Sequence, residues 1–138
     1  MKKILKLFIL FLCGGALYIM IELISRGHSH WSMFLLGGIV FVEIGCLNEV
    51  FKCNMSLVLQ GLIGSVMITA SELAFGLILN VWLKMDVWDY STMPLNFMGQ
   101  ICLPFSIMWI FVSIAAVLFD DYLRHLMFHE DFPHYKLL

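Results

Sequence analysis

Long apolar runs separated by short polar joins make up most of the chain. About 20 mostly apolar residues are needed to cross about 30 Å of hydrocarbon as a helix. Four runs meet that length: about residues 4–25, 32–51, 56–80 and 97–119. The pattern therefore predicts an all-α fold, in which one four-helix bundle forms a single integral membrane domain with a short cytoplasmic C-terminal tail.

Small and polar residues recur within these runs at helical spacing. The first run carries Gly14, Tyr18, Glu22 and Arg26 at steps of four, which places them along one face of a helix. The other runs carry similar stripes of glycine, serine and other small residues. Such stripes are typical of membrane helices that approach closely and bond across their contact.

Composition agrees with a membrane protein. The 138 residues are 62% hydrophobic and 13% charged, with a mean hydropathy of +0.94, whereas soluble domains are roughly half apolar and a quarter charged. The first apolar run continues through Ile24, so it is longer than the core of about 7–15 residues in a signal peptide. A small residue is also missing before Cys13, where lipoprotein cleavage would need one. We therefore predict a retained first helix.

The distribution of basic residues predicts the orientation. Cytoplasmic segments of membrane proteins are enriched in lysine and arginine. With the N-terminus inside, only Arg26 and Lys84 of the eight basic residues lie outside. This predicts a multi-pass protein of the cell membrane with both termini in the cytoplasm. The net charge of −2 gives no basic surface for nucleic acid, so the lipid bilayer is the expected environment and no nucleic-acid partner is expected.

Acidic residues inside the apolar runs are the strongest functional candidates. A carboxylate in a membrane costs about 2.5–3.5 kcal/mol on insertion scales, so it usually faces an interior and finds a partner. Arg26 lies at i+4 from Glu22, which leaves open a structural clasp or a site. Glu72 has no basic residue on its own helix, so it either borrows a cation from across the bundle or is held protonated by burial. Glu43 could face the core, the lipid or a partner chain.

Most of the remaining polar residues lie at the two predicted outer joins, near Arg26–Trp31 and Val81–Asn96. We expect the two joins to converge on one outward-facing polar cavity. The residues predicted to bind substrate there are Glu22, Arg26, His30, Trp31, Glu72, Asn80, Trp88, Asp89, Tyr90, Asn96 and Gln100.

Metal, disulfide and cofactor chemistry are not indicated. The spacing of His28 and His30 could ligate a metal only with help from elsewhere, and Asp121, His125 and His129 on one helix face are equally explained by solvation. The cysteines form no Cys-x-x-Cys pair. We predict no metal and no cofactor.

Known catalytic motifs are also missing from the sequence. It contains no Gly-x-Ser-x-Gly, no His-Glu-x-x-His and no phosphate-binding Gly-x-x-x-x-Gly-Lys-Ser/Thr motif. An enzyme would need a group assembled across helices, such as Glu22 or Glu72 with Asp89, or His30 with a neighbouring serine.

Three polar segments of the chain, in order, are similar to a known family. These are Glu22-x-x-x-Arg26-Gly-x-Ser-His-Trp-Ser-Met followed by Gly37-Gly38, then Glu72-x-x-x-Gly76 with Asn80, and finally Trp88-Asp-Tyr-Ser91 followed by Pro94, Asn96, Gly99-Gln-Ile-Cys102 and Trp109. They resemble the small bacterial membrane proteins of the putative ABC-transporter type IV, or CmpB-like, permease family. The resemblance covers nearly the whole chain and implies solute transport.

The predicted inner turn limits how an ATPase could dock. ABC importers usually carry a sizeable cytoplasmic coupling loop, whereas the turn here is only a few residues around 52–54. A cytoplasmic ATPase partner would therefore use the C-terminal tail.

Three functions remain open at the level of sequence. The first is a permease-like protein that handles a small solute or lipid-like molecule. Because four helices enclose little volume, it would be a homo-oligomer. The second is a membrane hydrolase or transferase that acts on a lipid-linked substrate at the outer leaflet. The third is a non-catalytic accessory subunit whose polar joins stabilise the fold.

Overall fold

The computed structural model describes residues 2–51 and 55–138 and confirms an all-helical protein. A short antiparallel hairpin interrupts the chain before the last helix, with Asn96 opposite Cys102. The predicted inner turn at 52–54 lies outside the described residues. The elements in order are α1 (Lys3–Arg26), α2 (Trp31–Phe51), α3 (Leu57–Gly76) with a π-helical extension (Leu77–Trp82), β1 (Asn96–Phe97), β2 (Ile101–Cys102) and α4 (Leu103–Phe128).

The last helix differs most from its predicted range. α4 begins at Leu103 rather than at about residue 97, and it continues to Phe128 rather than ending at about 119. Gly99 has a left-handed backbone, with φ of 71°, and turns the hairpin, while a proline lies in the first turn of α4. Proline is well tolerated there because its missing N–H has no helical partner. His129 then ends the helix with a left-handed cap.

Three helices are long and apolar enough to cross a membrane. These are Lys3–Arg26, Leu57–Trp82 and Leu103–Phe128. The shortest of them has 24 residues, which at about 1.5 Å per residue is more than the hydrocarbon thickness. The apolar part of α2 is shorter, Trp31–Leu47, so a fourth crossing remains a prediction. The length and apolar character of these helices identify a membrane protein.

Helix packing relies on close glycine contacts. α1 packs mainly on α2 and α3 mainly on α4, whereas α1 and α4 scarcely touch. A Cβ added at Gly64 of α3 would lie 2.6 Å from Cβ of Ser113 in α4, and one added at Gly14 of α1 would overlap Phe41 of α2. These glycines therefore let the helices approach, as their stripes in the sequence indicate. The sparse contact between α1 and α4 leaves an interhelical space.

The C-terminal tail packs against one end of the helices. We call the end that carries both chain termini the terminal end and the opposite end the loop end. At the terminal end, the C-terminal tail folds back on α3: Leu57 N–H donates to the Lys136 carbonyl at 2.7 Å, and Val58 N–H to the Leu137 carbonyl at 3.3 Å. The Ser56 hydroxyl accepts from Leu59 N–H at 3.2 Å. Tail and serine together satisfy N–H groups that a helix start otherwise leaves open.

Candidate functional site

The long connection between α3 and α4 is held in shape by two amide side chains and one indole. The Asn80 side chain accepts from Val87 N–H at 2.7 Å and donates to Gln100 Oε1 at 2.9 Å. The Trp88 indole N–H donates to the Gln100 carbonyl at 3.0 Å, and both of these side chains are buried. Three of the predicted site residues, Asn80, Trp88 and Gln100, therefore hold the connection in shape.

Asp89 and Asn96 shape the tip of the same connection. The two oxygens of Asp89 accept from Ser91, one from its N–H at 2.8 Å and one from its hydroxyl at 3.0 Å. Asn96 donates to the Met93 carbonyl at 2.9 Å and accepts from Gly99 N–H at 3.1 Å. Short polar side chains that bond their own backbone in this way stabilise turns.

Glu72 is the most deeply placed carboxyl at the loop end, with 2% of its surface exposed. The Tyr90 hydroxyl donates to its Oε1 at 2.8 Å, and the Trp109 indole N–H donates to its Oε2 at 3.2 Å. Both partners are neutral, and within the described ranges no lysine, arginine or histidine forms a salt bridge with Glu72. The carboxyl is held by neutral donors from a loop and from α4.

Tyr90 is a fixed donor in this arrangement. Its ring stacks on Phe105, with centroids 4.9 Å apart and planes 11° from parallel. Burial, and then the neighbouring Glu72 carboxyl, raise the pKa of Tyr90 well above its usual value. The hydroxyl therefore stays protonated and available to donate.

Glu22 and Arg26 form an ion pair, and Arg26 also connects the two joins that were predicted to be outer. Arg26 Nη1 lies 2.9 Å from Glu22 Oε2, and Arg26 Nη2 donates to the Val87 carbonyl at 3.4 Å. Tyr18 lies beside Glu22 and within electrostatic range of Glu72. The structure thus brings Glu22, Arg26, Glu72 and the α3–α4 connection close together at the loop end.

His30 and Trp31 lie at the start of α2, apart from Glu72 and its partners. His30 Nδ1 lies 2.6 Å from the Ser32 hydroxyl and also accepts from Ser32 N–H at 3.3 Å, which is a helix-capping contact. Ser32 is 1% exposed, so its hydroxyl is poorly placed to attack a substrate. Trp31 is 62% exposed and packs on the His30 ring.

A cavity of about 370 Å³ lies between the helices, which is within the usual size range of small-molecule sites. Its wall is almost wholly apolar and includes Gly14 and Leu17 of α1, Val40 of α2, and Val112 and Ala116 of α4. It occupies the space that the sparse contact between α1 and α4 leaves open. We call it the apolar cavity.

Glu72 lines the apolar cavity together with Tyr18 and Trp109. Of the eleven predicted site residues, all within the described ranges, Glu72 alone does so. Among the other lining residues, none of which was predicted, Tyr18 and Trp109 are the two that lie next to predicted carboxyls. Tyr18 could have been found from its place in the i+4 series that ends in Glu22 and Arg26, whereas nothing in the sequence links Trp109 to a carboxyl 37 positions away.

The terminal end carries a second polar cluster. Arg124 Nε lies 2.7 Å from Oδ2 of Asp120, which is fully buried, and Arg124 Nη1 lies 3.2 Å from Glu49 Oε1. Lys6 Nζ lies 2.6 Å from Glu130 Oε1. These charged residues lie between α1, α2 and α4, and none of them is among the predicted site residues.

The histidines of the terminal end make other contacts. His125 Nδ1 lies 2.8 Å from the Glu130 carbonyl, and Asp121 accepts from the Tyr135 hydroxyl at 2.6 Å. In the part of the chain that the structure describes, no three His, Cys, Asp or Glu side chains form a group suited to a metal ion.

Comparison with known proteins gives one match. The model of a family described as Putative ABC-transporter type IV matches residues 2–130. No curated protein and no solved structure matches the chain.

Proposed function

The chain belongs to the Putative ABC-transporter type IV family, and from that premise we propose that it is a small permease that handles a lipid-like molecule in the apolar cavity. The observation that carries the proposal is a single buried carboxyl, Glu72, at a cavity whose wall is otherwise almost wholly apolar. Such a cavity favours a molecule with an apolar body, because its wall offers almost no hydrogen-bond partners and burial of an unpaired polar group is costly.

Glu72 would select the polar end of that molecule. Each carboxylate oxygen can accept more than one hydrogen bond, and each oxygen of Glu72 receives one from Tyr90 or Trp109. A hydroxyl or amine on the ligand could supply a further donor. The combination of an apolar wall and one acceptor therefore favours a long-chain alcohol or amine over a small polar solute.

We infer that the loop end is the outer closure of the cavity. Arg26 bridges Glu22 and the Val87 carbonyl, and Tyr90 anchors the α3–α4 connection to Glu72. Release of these contacts would open the cavity outward. The residues predicted at the outer joins would therefore close the apolar cavity, and Glu72 and Tyr90 would bind the ligand inside it.

The setting of the permease follows from the same proposal. It would cross the cell membrane four times with both termini in the cytoplasm. Since the sequence holds no ATP-binding motif, energy would come from a cytoplasmic ATPase that docks on the tail at the terminal end. Glu43 supports a homo-oligomer. It lies in α2, accepts a hydrogen bond from the Ser71 hydroxyl at 3.3 Å and is half-buried. A second copy of the chain could cover the exposed part of this carboxyl.

Quenching of Trp109 fluorescence by a brominated long-chain alcohol tests the binding part of the proposal. The exposed Trp31 and Trp82 are replaced by phenylalanine to reduce the background. We expect saturable quenching that Glu72→Gln weakens about fivefold, since the glutamine side chain has one acceptor oxygen fewer and one hydrogen bond contributes about 1 kcal/mol.

Cavity filling provides the matched control. Ala116→Leu adds volume inside the cavity, whereas Ala70→Leu adds the same volume on an exposed face of α3. Ala116→Leu should abolish the quenching and Ala70→Leu should preserve it. Equal quenching in both variants would rule out ligand binding in the apolar cavity.

Transport itself is tested in proteoliposomes that contain the chain and any co-expressed ATPase. Glu72→Gln should abolish movement of the alcohol and leave the assembly intact. If the quenching assay succeeds but no movement occurs with any co-expressed partner, the chain is a lipid-binding accessory subunit instead.

A further inference from the structure

The apolar cavity has one exposed side. Its lining residues on α2 and α3 are all buried, among them Ile44 at 1% and Ile68 at 5% exposed. Its lining on α1 and α4, by contrast, includes three exposed residues, Ile21, Ala115 and Phe119. The cavity is therefore walled by α2 and α3 and reaches the surface of the protein between α1 and α4. We call the gap beside these three exposed residues the side opening.

Contacts near both ends of α1 frame the side opening. At the terminal end, Lys6 Nζ lies 2.6 Å from Glu130 Oε1 and 5.2 Å from the centre of the Phe128 ring. At the loop end, Arg26 Nη2 donates to the Val87 carbonyl at 3.4 Å. The two helices α1 and α4 themselves share few contacts. The gap is thus bounded at the terminal end and at the loop end, and it is open in the direction of the membrane.

The side opening lies at the depth of the hydrocarbon. α1 has 24 residues and α4 has 26, so at 1.5 Å per residue they are about 36 Å and about 39 Å long, against about 30 Å of hydrocarbon. With each helix centred in the bilayer, about two or three residues project at each end. Ile21 lies five residues before the end of α1, and Phe119 lies nine before the end of α4. Lipid rather than water therefore meets the opening.

The chemistry of the opening suits an alkyl chain. Ile21, Ala115 and Phe119 carry no polar side-chain group, so a polar molecule that crossed between them would lose its hydrogen bonds. An alkyl chain that moves from the bilayer into the cavity exchanges one apolar surrounding for another. Glu72 is the single carboxyl among the described residues that line the cavity. An amphiphile that enters from the side would therefore find its one polar partner inside.

We propose that the protein takes a single-chain amphiphile directly from the bilayer through the side opening, and that the alkyl chain of the bound molecule extends through this opening into the lipid. The polar end would bind Glu72. The inference rests on the proposed function, and it names the substrate class as an amphiphile dissolved in the membrane. Uptake is then lateral, and release of the loop-end contacts is the later step that lets the polar end leave.

The length of the alkyl chain distinguishes an open side from a closed one. A cavity of about 370 Å³ that is sealed on every side holds octanol but sets an upper limit on length. An open side sets no such limit, because the excess of a longer chain remains in the lipid. Octanol and octadecanol are therefore the two probes.

Two exposed alanines give a matched pair of variants. Ala115 lines the cavity at the side opening, whereas Ala70 lies on α3 and does not line the cavity. Ala115→Phe and Ala70→Phe add the same ring to an exposed face of a membrane helix. Both variants should therefore fold, and only Ala115→Phe should narrow the opening.

The experiment is competition of octanol or octadecanol with the brominated alcohol that quenches Trp109, in nanodiscs, with each concentration expressed as a mole fraction of the bilayer. In the wild type the two alcohols should compete equally to within about threefold. Ala115→Phe should weaken competition by octadecanol at least about tenfold, because its alkyl chain is overpacked against the added ring. The same variant should change competition by octanol less than about twofold, and Ala70→Phe should change neither by more than that.

Three results would overturn the proposal. Competition by octanol but not by octadecanol in the wild type would show that the side is covered, by the protein itself or by a second copy, and the proposed function would stand. Equal effects of Ala115→Phe and Ala70→Phe would show that the alkyl chain does not pass between α1 and α4. Absence of any quenching by the brominated alcohol would instead refute the proposed function, and the lateral route with it.

Discussion

The Tyr90 hydroxyl should stabilise the protein measurably, because it is one of the two donors that Glu72, an almost fully buried carboxyl, has among the described residues. Tyr90 Oη lies 2.8 Å from Glu72 Oε1, and Glu72 is 2% exposed. Hydrogen bonds between membrane helices contribute about 0.6 kcal/mol on average and about 1.7 kcal/mol at most. Removal of one partner from a buried polar group costs about 1–3 kcal/mol. The two ranges meet near about 1.5 kcal/mol, which is the loss that we expect for Tyr90→Phe.

Reversible unfolding in mixed micelles measures this loss. Tyr122→Phe is the matched control, since Tyr122 is 48% exposed on α4 and its ring contacts Phe119 and Phe132. It should change the free energy of unfolding by less than about 0.5 kcal/mol. The double variant with Trp109→Phe should be non-additive, because both donors share one carboxyl. If Tyr90→Phe and Tyr122→Phe unfold alike, the Glu72 arrangement described here does not stabilise the fold.

Three further predictions concern the terminal end and the helix contacts. Arg124→Gln should lower the free energy of unfolding by about 3–5 kcal/mol, because it leaves Asp120 buried and unpaired; an effect no larger than that of the exposed Lys136→Gln would contradict this. Gly64→Ala should lower the free energy of unfolding by about 1–3 kcal/mol, because the added methyl group overpacks against Ser113. A variant that unfolds at the same denaturant concentration as the wild type would disprove this contact. Removal of residues 131–138 should speed amide exchange at 57 and 58 about fivefold, the equivalent of one hydrogen bond of about 1 kcal/mol; unchanged exchange would show that the tail does not cap α3.

The helices could be predicted from the sequence because their signal is local. Apolar runs locate α1, α2 and α3 within a few residues of their ends. The predicted start of the last helix at about residue 97 is wrong, because Met98 and Gly99 both adopt a left-handed backbone and turn residues 96–102 into a hairpin. Apolar character indicates burial, and it does not indicate the backbone direction at a turn, where a glycine is the strongest local signal.

In the candidate site, too, contacts between residues close in sequence could be predicted, and contacts between distant residues could not. Spacing alone predicts the clasp of Glu22 and Arg26, because i+4 residues on a helix are neighbours. The partners of Glu72 come from positions 18 and 37 residues further along, and nothing in the sequence encodes those distances. The polar amides of the α3–α4 connection illustrate the same limit. Their residue types indicate a polar site, but their contacts fold the loop.

The tail that caps α3 also sets an order of events during synthesis. Leu57 N–H receives its acceptor from the Lys136 carbonyl, which the ribosome adds roughly eighty residues later. At about 5–20 residues per second, the first turn of α3 therefore waits on the order of 4–16 s for its last hydrogen bonds. During that interval water can bond to the N–H groups of Leu57 and Val58, and the two carbonyl groups of the tail replace that water only after α4 has been made.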